Sequence, residues 1–222
     1  MIAMTPQELV RRYPLLYHMA ELTSWPNIRK YGLLSTSALL DLYGVTGQDR
    51  VDIESRWRSK SFPLTHPTYG IAVVRDQLPM PEDKLGQCLV DMTTREWYEL
   101  INGRTFFWVD QTPLVWMLKA SPYRGREHCV IVVPTRALLD NHRDKVTLSA
   151  INSGSVHPSK STGAPRSRGR DTFKSIRDFT SRWVTELAVE YSVPDIANLA
   201  TRVEVWRGDR CLRVTWRRDA SS

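Results

Sequence analysis

The stretch Tyr17–Leu40, "YHMAELTSWPNIRKYGLLSTSALL", decides how the rest of the chain is read. It opens with a histidine between an aromatic and an aliphatic residue, and its short amphipathic run stops at a glycine. Leu15–Met19 reads as a short strand. Ser24 is placed to cap a helix through Tyr31, with Gly32 as its left-handed stop. Ser35 or Ser37 caps a second helix, ended by Gly44. His18 thus has two readings. It is a packed strand-end residue, or it ends a first strand at a pocket framed by the helix that follows.

Upstream, Thr5-Pro6-Gln7-Glu8 carries a capping signal with proline at the first helical position, and the helix ends before Pro14. Downstream, Gln48–Tyr69 is irregular and polar and predicts a long loop. Gly70–Arg75 predicts a buried strand. Helices are expected over Glu82–Val90, over Thr94–Ile101 behind the capping box Thr93/Glu96, and over Gln111–Lys119. Thr105–Val109 is an aromatic-rich strand, and His128–Val133 a central one. Thr135 opens another helix, and Val146–Ile151 is a strand. Asn152–Asp171 lacks periodicity and predicts a long loop, a class that is usually functional or disordered. Strands at Trp183–Val189, Arg202–Arg207 and Cys211–Trp216 close the chain, with a short helix at Pro194–Leu199. Helices therefore come early and strands late, without βαβ alternation. This favours an α+β fold in a single domain over residues 1–222.

The 222 residues carry 41% hydrophobic and 25% charged side chains, an ordinary globular balance. No apolar run reaches the length of a membrane span. No signal-peptide pattern opens the chain, because Arg11 and Arg12 interrupt it. Cys88, Cys129 and Cys211 are odd in number and far apart, which predicts neither a disulfide framework nor a zinc site, and a cytoplasmic protein. The sequence holds no phosphate loop, dinucleotide fingerprint, H-E-x-x-H or G-x-S-x-G. His128 and Cys129 point to opposite faces of their strand and cannot pair. His66, His142 and His157 show no metal-ligand spacing, so no metal is expected.

The net charge is +7. Between Ser155 and Arg182 lie Lys160, Arg166, Arg168, Arg170, Lys174, Arg177 and Arg182, against Asp171 and Asp178 alone, which leaves five of those seven charges in one segment. The loop at about 152–172 is either an electrostatic footprint for a polyanion or a solvated surface. In "RWVTELAVE", Glu186 shares a strand face with Val184 and Ala188. A carboxylate there is costly unless it is paired or used.

These blocks, in this order, resemble the DarT-like ADP-ribosyltransferases. The family's first strand ends in a histidine, followed by a helix and a "GLL" turn, as in "YHMAELTSWPNIRKYGLLS". "GRTFFWVDQTPLVWML" is similar to its aromatic strand and helix, and "TELAVEYSVPDIANL" to its glutamate-bearing strand. With "INSGS" and "VVRDQLPM", the layout resembles most an uncharacterised bacterial branch of that superfamily. The resemblance implies an ADP-ribosyltransferase-like fold around a split mixed β-sheet, with helices concentrated in the N-terminal half. It implies NAD as donor substrate. His18 would hold the nicotinamide-side ribose, and Tyr17, Ser35 and Thr36 would be further NAD-binding residues. Phe106, Phe107 and Trp108 would line the nicotinamide, and Glu186 would be the catalytic carboxylate. The family's arginine falls on Arg56, Arg58 or Arg75, and its asparagine after the histidine strand is Ser24 here.

The chemistry fits those roles. Cleaving the nicotinamide–ribose bond develops positive charge that a carboxylate stabilises. Arginine matches pyrophosphate by paired hydrogen bonds. The acceptor expected from the resemblance and the basic segment (Lys160, Arg166, Arg168, Arg170, Lys174) is a base in single-stranded DNA or RNA. Such a protein would act as a bacterial toxin or phage-defence effector with a neutralising antitoxin as partner. A protein-directed transferase or NAD glycohydrolase is the first alternative, and a non-enzymatic nucleic-acid-binding module the second.

Overall fold

The computed structural model describes residues 4–158 and 163–219. Helix α1 (Pro6–Arg12) leads into strand β1 (Leu15–Glu21), then α2 (Trp25–Tyr31), β2 (Leu33–Leu34), α3 (Thr36–Leu42) and α4 (Gly47–Glu54). A hairpin follows, β3 (Phe62–His66) and β4 (Gly70–Val74), then α5 (Glu82–Gly86), α6 (Thr94–Asn102), β5 (Arg104–Trp108) and α7 (Gln111–Lys119). The second half holds β6 (His128–Pro134), α8 (Thr135–His142), β7 (Val146–Ser149), β8 (Lys174–Ser175), β9 (Glu186–Glu190) and β10 (Ser192–Val193). It closes with α9 (Ile196–Leu199), β11 (Arg202–Arg207) and β12 (Arg210–Arg217). The α+β class and the early helices are as expected.

Eight strands form one sheet in the order β12-β11-β6-β1-β5-β9-β7-β8. Each pairing between its strands is antiparallel, so the expected mixed sheet is corrected to an antiparallel one. Central β6 is buried along nearly its whole length, which explains its unbroken apolar run. Its Cys129, Ile131 and Val133 join Leu16, Phe107 and Leu187 in the core on one face, under Leu138 and Leu139 of α8. Its Val130 and Val132 join Tyr17, Met19 and Trp206 on the other, under Leu114 and Leu118 of α7. A third cluster packs Trp97, Tyr98 and Ile101 of α6 against Met80 and Leu85, with Phe106 at its edge.

The local signals mostly act as read. Thr93 and Glu96 make a reciprocal capping box on α6. Ser35 accepts from the Ala38 amide at 3.1 Å and caps α3. Ser24 differs: its side chain makes no cap bond, and Ser24 itself has a helical backbone. Gly32 is required where it stands, since its φ is +91° and a Cβ would lie 2.7 Å from the Pro194 backbone. Two expectations are corrected. The region read as a loop over Gln48–Tyr69 holds α4 and β3, and the helix read over Glu82–Val90 ends at Gly86.

Candidate functional site

Strand β1 pairs with β6 over its full length, but with β5 at one position only, Tyr17 opposite Trp108. Past that point β1 and β5 part, and the His18 ring bridges the gap with Nδ1 2.8 Å from the Phe106 carbonyl oxygen. The notch is the floor of a cavity of about 250 Å³, near the low end of ligand-site volumes. Its walls are the ends of β1 and β5, the C-terminal turn of α2 with β2, the start of α3, and β4. The β3–β4 hairpin is tied across the cavity by hydrogen bonds. Asn27 Nδ2 donates to the carbonyls of Tyr69 (3.1 Å) and Ile71 (2.9 Å). The hydroxyls of Tyr31 and Tyr43 donate to the Thr68 and Tyr69 carbonyls, each at 3.1 Å.

A carbonyl oxygen only accepts, so His18 Nδ1 carries the proton and Nε2 keeps its lone pair. Burial, reinforced by the positive Arg75 nearby, pushes the ring down to about 4, so it is neutral at physiological pH. Nε2 is therefore left as a hydrogen-bond acceptor. Around it stand buried polar atoms without partners: Nε and Nη2 of Arg75, Nε of Arg104 and Oε1 of Glu21. Arg75 and Arg126 each approach Glu21 to 3.8 Å, which is attraction without a hydrogen bond. Buried N–H groups without partners are costly, and cationic ones suit an anionic ligand.

Five of the NAD-binding candidates meet at this cavity, His18, Ser35, Thr36, Arg75 and Phe106, and Ser24 is also on its wall. Others do not. Phe107 is fully buried in the core. Tyr17 and Trp108 pack beneath α7. Arg56 pairs with Asp52 at 2.9 Å on the surface. Arg58 lies in the interior, away from the cavity wall. It is buried, donating to the Ile53 carbonyl, the Arg75 carbonyl (3.1 Å) and Asn102 Oδ1 (3.0 Å), and burial pushes its guanidinium down to about 10. Arg58→Ala should therefore cost about 2–4 kcal/mol, read as a lower urea midpoint, because three buried acceptors lose their donor. Sequence reasoning missed Glu21, Tyr31, Tyr43 and Arg104. Glu21 and Tyr31 lie inside the opening stretch, and Arg104 heads the aromatic strand.

Glu186 lies outside the cavity wall. It begins β9 opposite Trp108 on one side and Ser149 on the other. Only 4% exposed, it accepts from the Ser153 amide (3.0 Å) and hydroxyl (2.7 Å) through Oε2. Burial pushes it up to about 7, against the pull of Ser153 and nearby Arg168. Because Trp108 also faces Tyr17, Glu186 sits two strands from β1, on the order of 10 Å across the sheet.

The basic segment is divided. Lys160 lies outside the described residues. Arg168 is buried and clamps the loop over Glu186, donating to the Ser153 (3.0 Å) and Ser155 (2.8 Å) carbonyls. Arg166 reaches the Ala150 carbonyl, Arg170 pairs with Glu96 at 2.7 Å, and Lys174 lies 3.7 Å from Asp171, all at the surface. Among the described residues, no group of metal-ligating side chains gathers and no helix is long and apolar enough to cross a membrane.

One family model spans residues 14–200, that of the family of unknown function DUF7002. The chain belongs to this family. No curated protein matches the sequence. The DUF7002 span takes in every residue of the cavity wall and Glu186, and leaves out β11 and β12.

Proposed function

We propose that this DUF7002 protein transfers ADP-ribose from NAD to a base in single-stranded DNA or RNA. The observation that carries the donor half is the pair of buried Arg75 nitrogens, Nε and Nη2, that have no hydrogen-bond partner in the same cavity as a neutral His18. Arg75 supplies two free N–H groups to a pyrophosphate, and Arg104 supplies one. His18 Nε2 accepts a ribose hydroxyl, and Phe106, Tyr31 and Tyr43 offer rings for the nicotinamide. The ADP-ribosyltransferase-like fold is part of the same proposal, and the parting of β1 from β5 supports it as the split of the sheet.

Two carboxylates compete for the reacting centre. Glu21 lies on the cavity wall, and Glu186 lies one strand behind β5. We assign the role to Glu186. A carboxyl group held near 7 is matched to taking a proton from the acceptor at neutral pH, and its ionised form supports the positive sugar. To do so, it must exchange Ser153 for substrate. Glu21, between two arginines, orients the donor. Incubation with NAD labelled in its adenylate, with DNA, RNA and protein offered as separate pools, tests the reading. Label should enter a nucleic-acid pool with release of nicotinamide. Label in protein alone moves the assignment to a protein-directed transferase, and no nicotinamide release from any pool rejects the chemistry.

A further inference from the structure

We propose that a single strand of nucleic acid lies in the groove on the far side of Glu186 from the donor cavity, with Trp183 as its stacking platform. This rests on the acceptor class proposed above and places that acceptor on the molecule. The groove encloses about 280 Å³. Ser149, opposite Glu186 in register, is on its wall, with Thr180 and Ser181 at the end nearest Trp183 in sequence and Lys174, Asp171 and Asp91 elsewhere on it. Thus β9 separates the groove from the donor side, and Glu186 stands between them. Two residues beyond Ser181, the Trp183 ring is 61% exposed.

A single exposed indole needs no explanation. This one has company. The guanidinium carbons of Arg12 and Arg182 each lie 5.1 Å from its ring centroid. Neither forms an ion pair among the described residues: Glu8, the acid nearest Arg12 in sequence, is held by Arg11 at 2.8 Å. An exposed indole with two guanidiniums over its ring, next to a groove with serine and threonine hydroxyls on its wall, meets the three needs of a single-stranded site once a base displaces one guanidinium from the ring. A base stacks on the ring, a phosphate meets the cations, and hydroxyls bond the backbone. The guanidiniums of Arg12 and Arg182, with no ion pair among the described residues, and the chain's net charge of +7 favour a polyanion as occupant. Duplex DNA offers no unstacked base to the ring and is a poor fit.

The test is fluorescence anisotropy of a labelled single-stranded oligonucleotide over a salt series, with a duplex of the same sequence and a labelled polyglutamate as comparators. Trp183→Ala should weaken single-strand binding roughly tenfold, and Trp183→Phe, which keeps a ring, should retain most of it. In the Arg12→Gln/Arg182→Gln double variant the log–log salt slope should become shallower by about 1.4, at roughly 0.7 per phosphate released. Unchanged affinity in Trp183→Ala together with an unchanged slope in the double variant overturns the proposal. So does tighter binding of duplex or polyglutamate than of the single strand. Calorimetric titration of NAD into the same preparations separates the two levels. Loss of NAD binding in the wild type rejects the donor reading, whereas intact NAD binding with failed anisotropy rejects this surface alone.

Discussion

Replacing Arg75 by glutamine should weaken NAD binding by roughly 10- to 100-fold while leaving the thermal midpoint nearly unchanged. The size follows from a charge-assisted hydrogen bond, worth about 1.5–3 kcal/mol when its partner would otherwise stay unpaired. The small effect on folding follows from the unliganded protein, where Nε and Nη2 have no hydrogen bond to lose and only the 3.8 Å attraction to Glu21 and the stack on the Tyr123 ring are removed. The fold uses the Arg75 carbonyl, which accepts from Arg58, and the substitution leaves that bond in place. Arg75→Lys should recover part of the affinity, since it restores charge without the planar fork. The check is calorimetric titration of NAD with a melt of each variant. An unchanged dissociation constant in Arg75→Gln would return this arginine to a role in holding Glu21.

Glu186→Gln has the largest expected effect on turnover, a loss of roughly 10²–10⁴-fold in transfer, the range for removing a positioned acid–base group. NAD affinity should stay the same. The stability of the variant carries a second signature. In the folded protein the Glu186 carboxyl is pushed up to about 7 from an ordinary 4.5. Below 4.5 it is protonated in both folded and unfolded chains and has no net effect. As pH rises from 4.5 to 7 the unfolded chain releases this proton while the folded one retains it, so the unfolded state gains. Wild-type stability should fall by about 3 kcal/mol across that window from this group and then level off. Glutamine, neutral throughout, lacks that slope. The variant should match the wild type in mild acid and exceed it above neutrality, read by urea denaturation at several pH values. Equal slopes, with the variant less stable at every pH, would mean that Glu186 is an ionised structural anion held by Ser153 and Arg168.

Much of the frame was legible because it rests on local rules. The Thr93–Glu96 box, the glycine that ends α2 and the unbroken apolar run of β6 each write their structure into a few neighbouring residues. The β3–β4 hairpin was half missed for the opposite reason. "FPLTH" buries only Leu64, so β3 has no apolar face to show a period. The site was legible in part. The histidine and the misplaced carboxylate stood out as residue types in the wrong surroundings. The arginines did not, since Arg56, Arg58 and Arg75 look alike in a string. Arg58 has an interior set of acceptors and Arg75 none, and acceptors such as Asn102, 44 residues away, declare themselves only when the chain is folded. Likewise the bond from Ser153 to Glu186 spans 33 residues and left no local trace.

A crystal structure of the Glu186→Gln protein grown with NAD shows whether the notch between β1 and β5 is a donor-nucleotide site. The expected density is a pyrophosphate on the Arg75 guanidinium, a ribose hydroxyl on His18 Nε2 and the nicotinamide against Phe106. NAD bound away from this cavity, or a cavity still empty at saturating NAD, would contradict it.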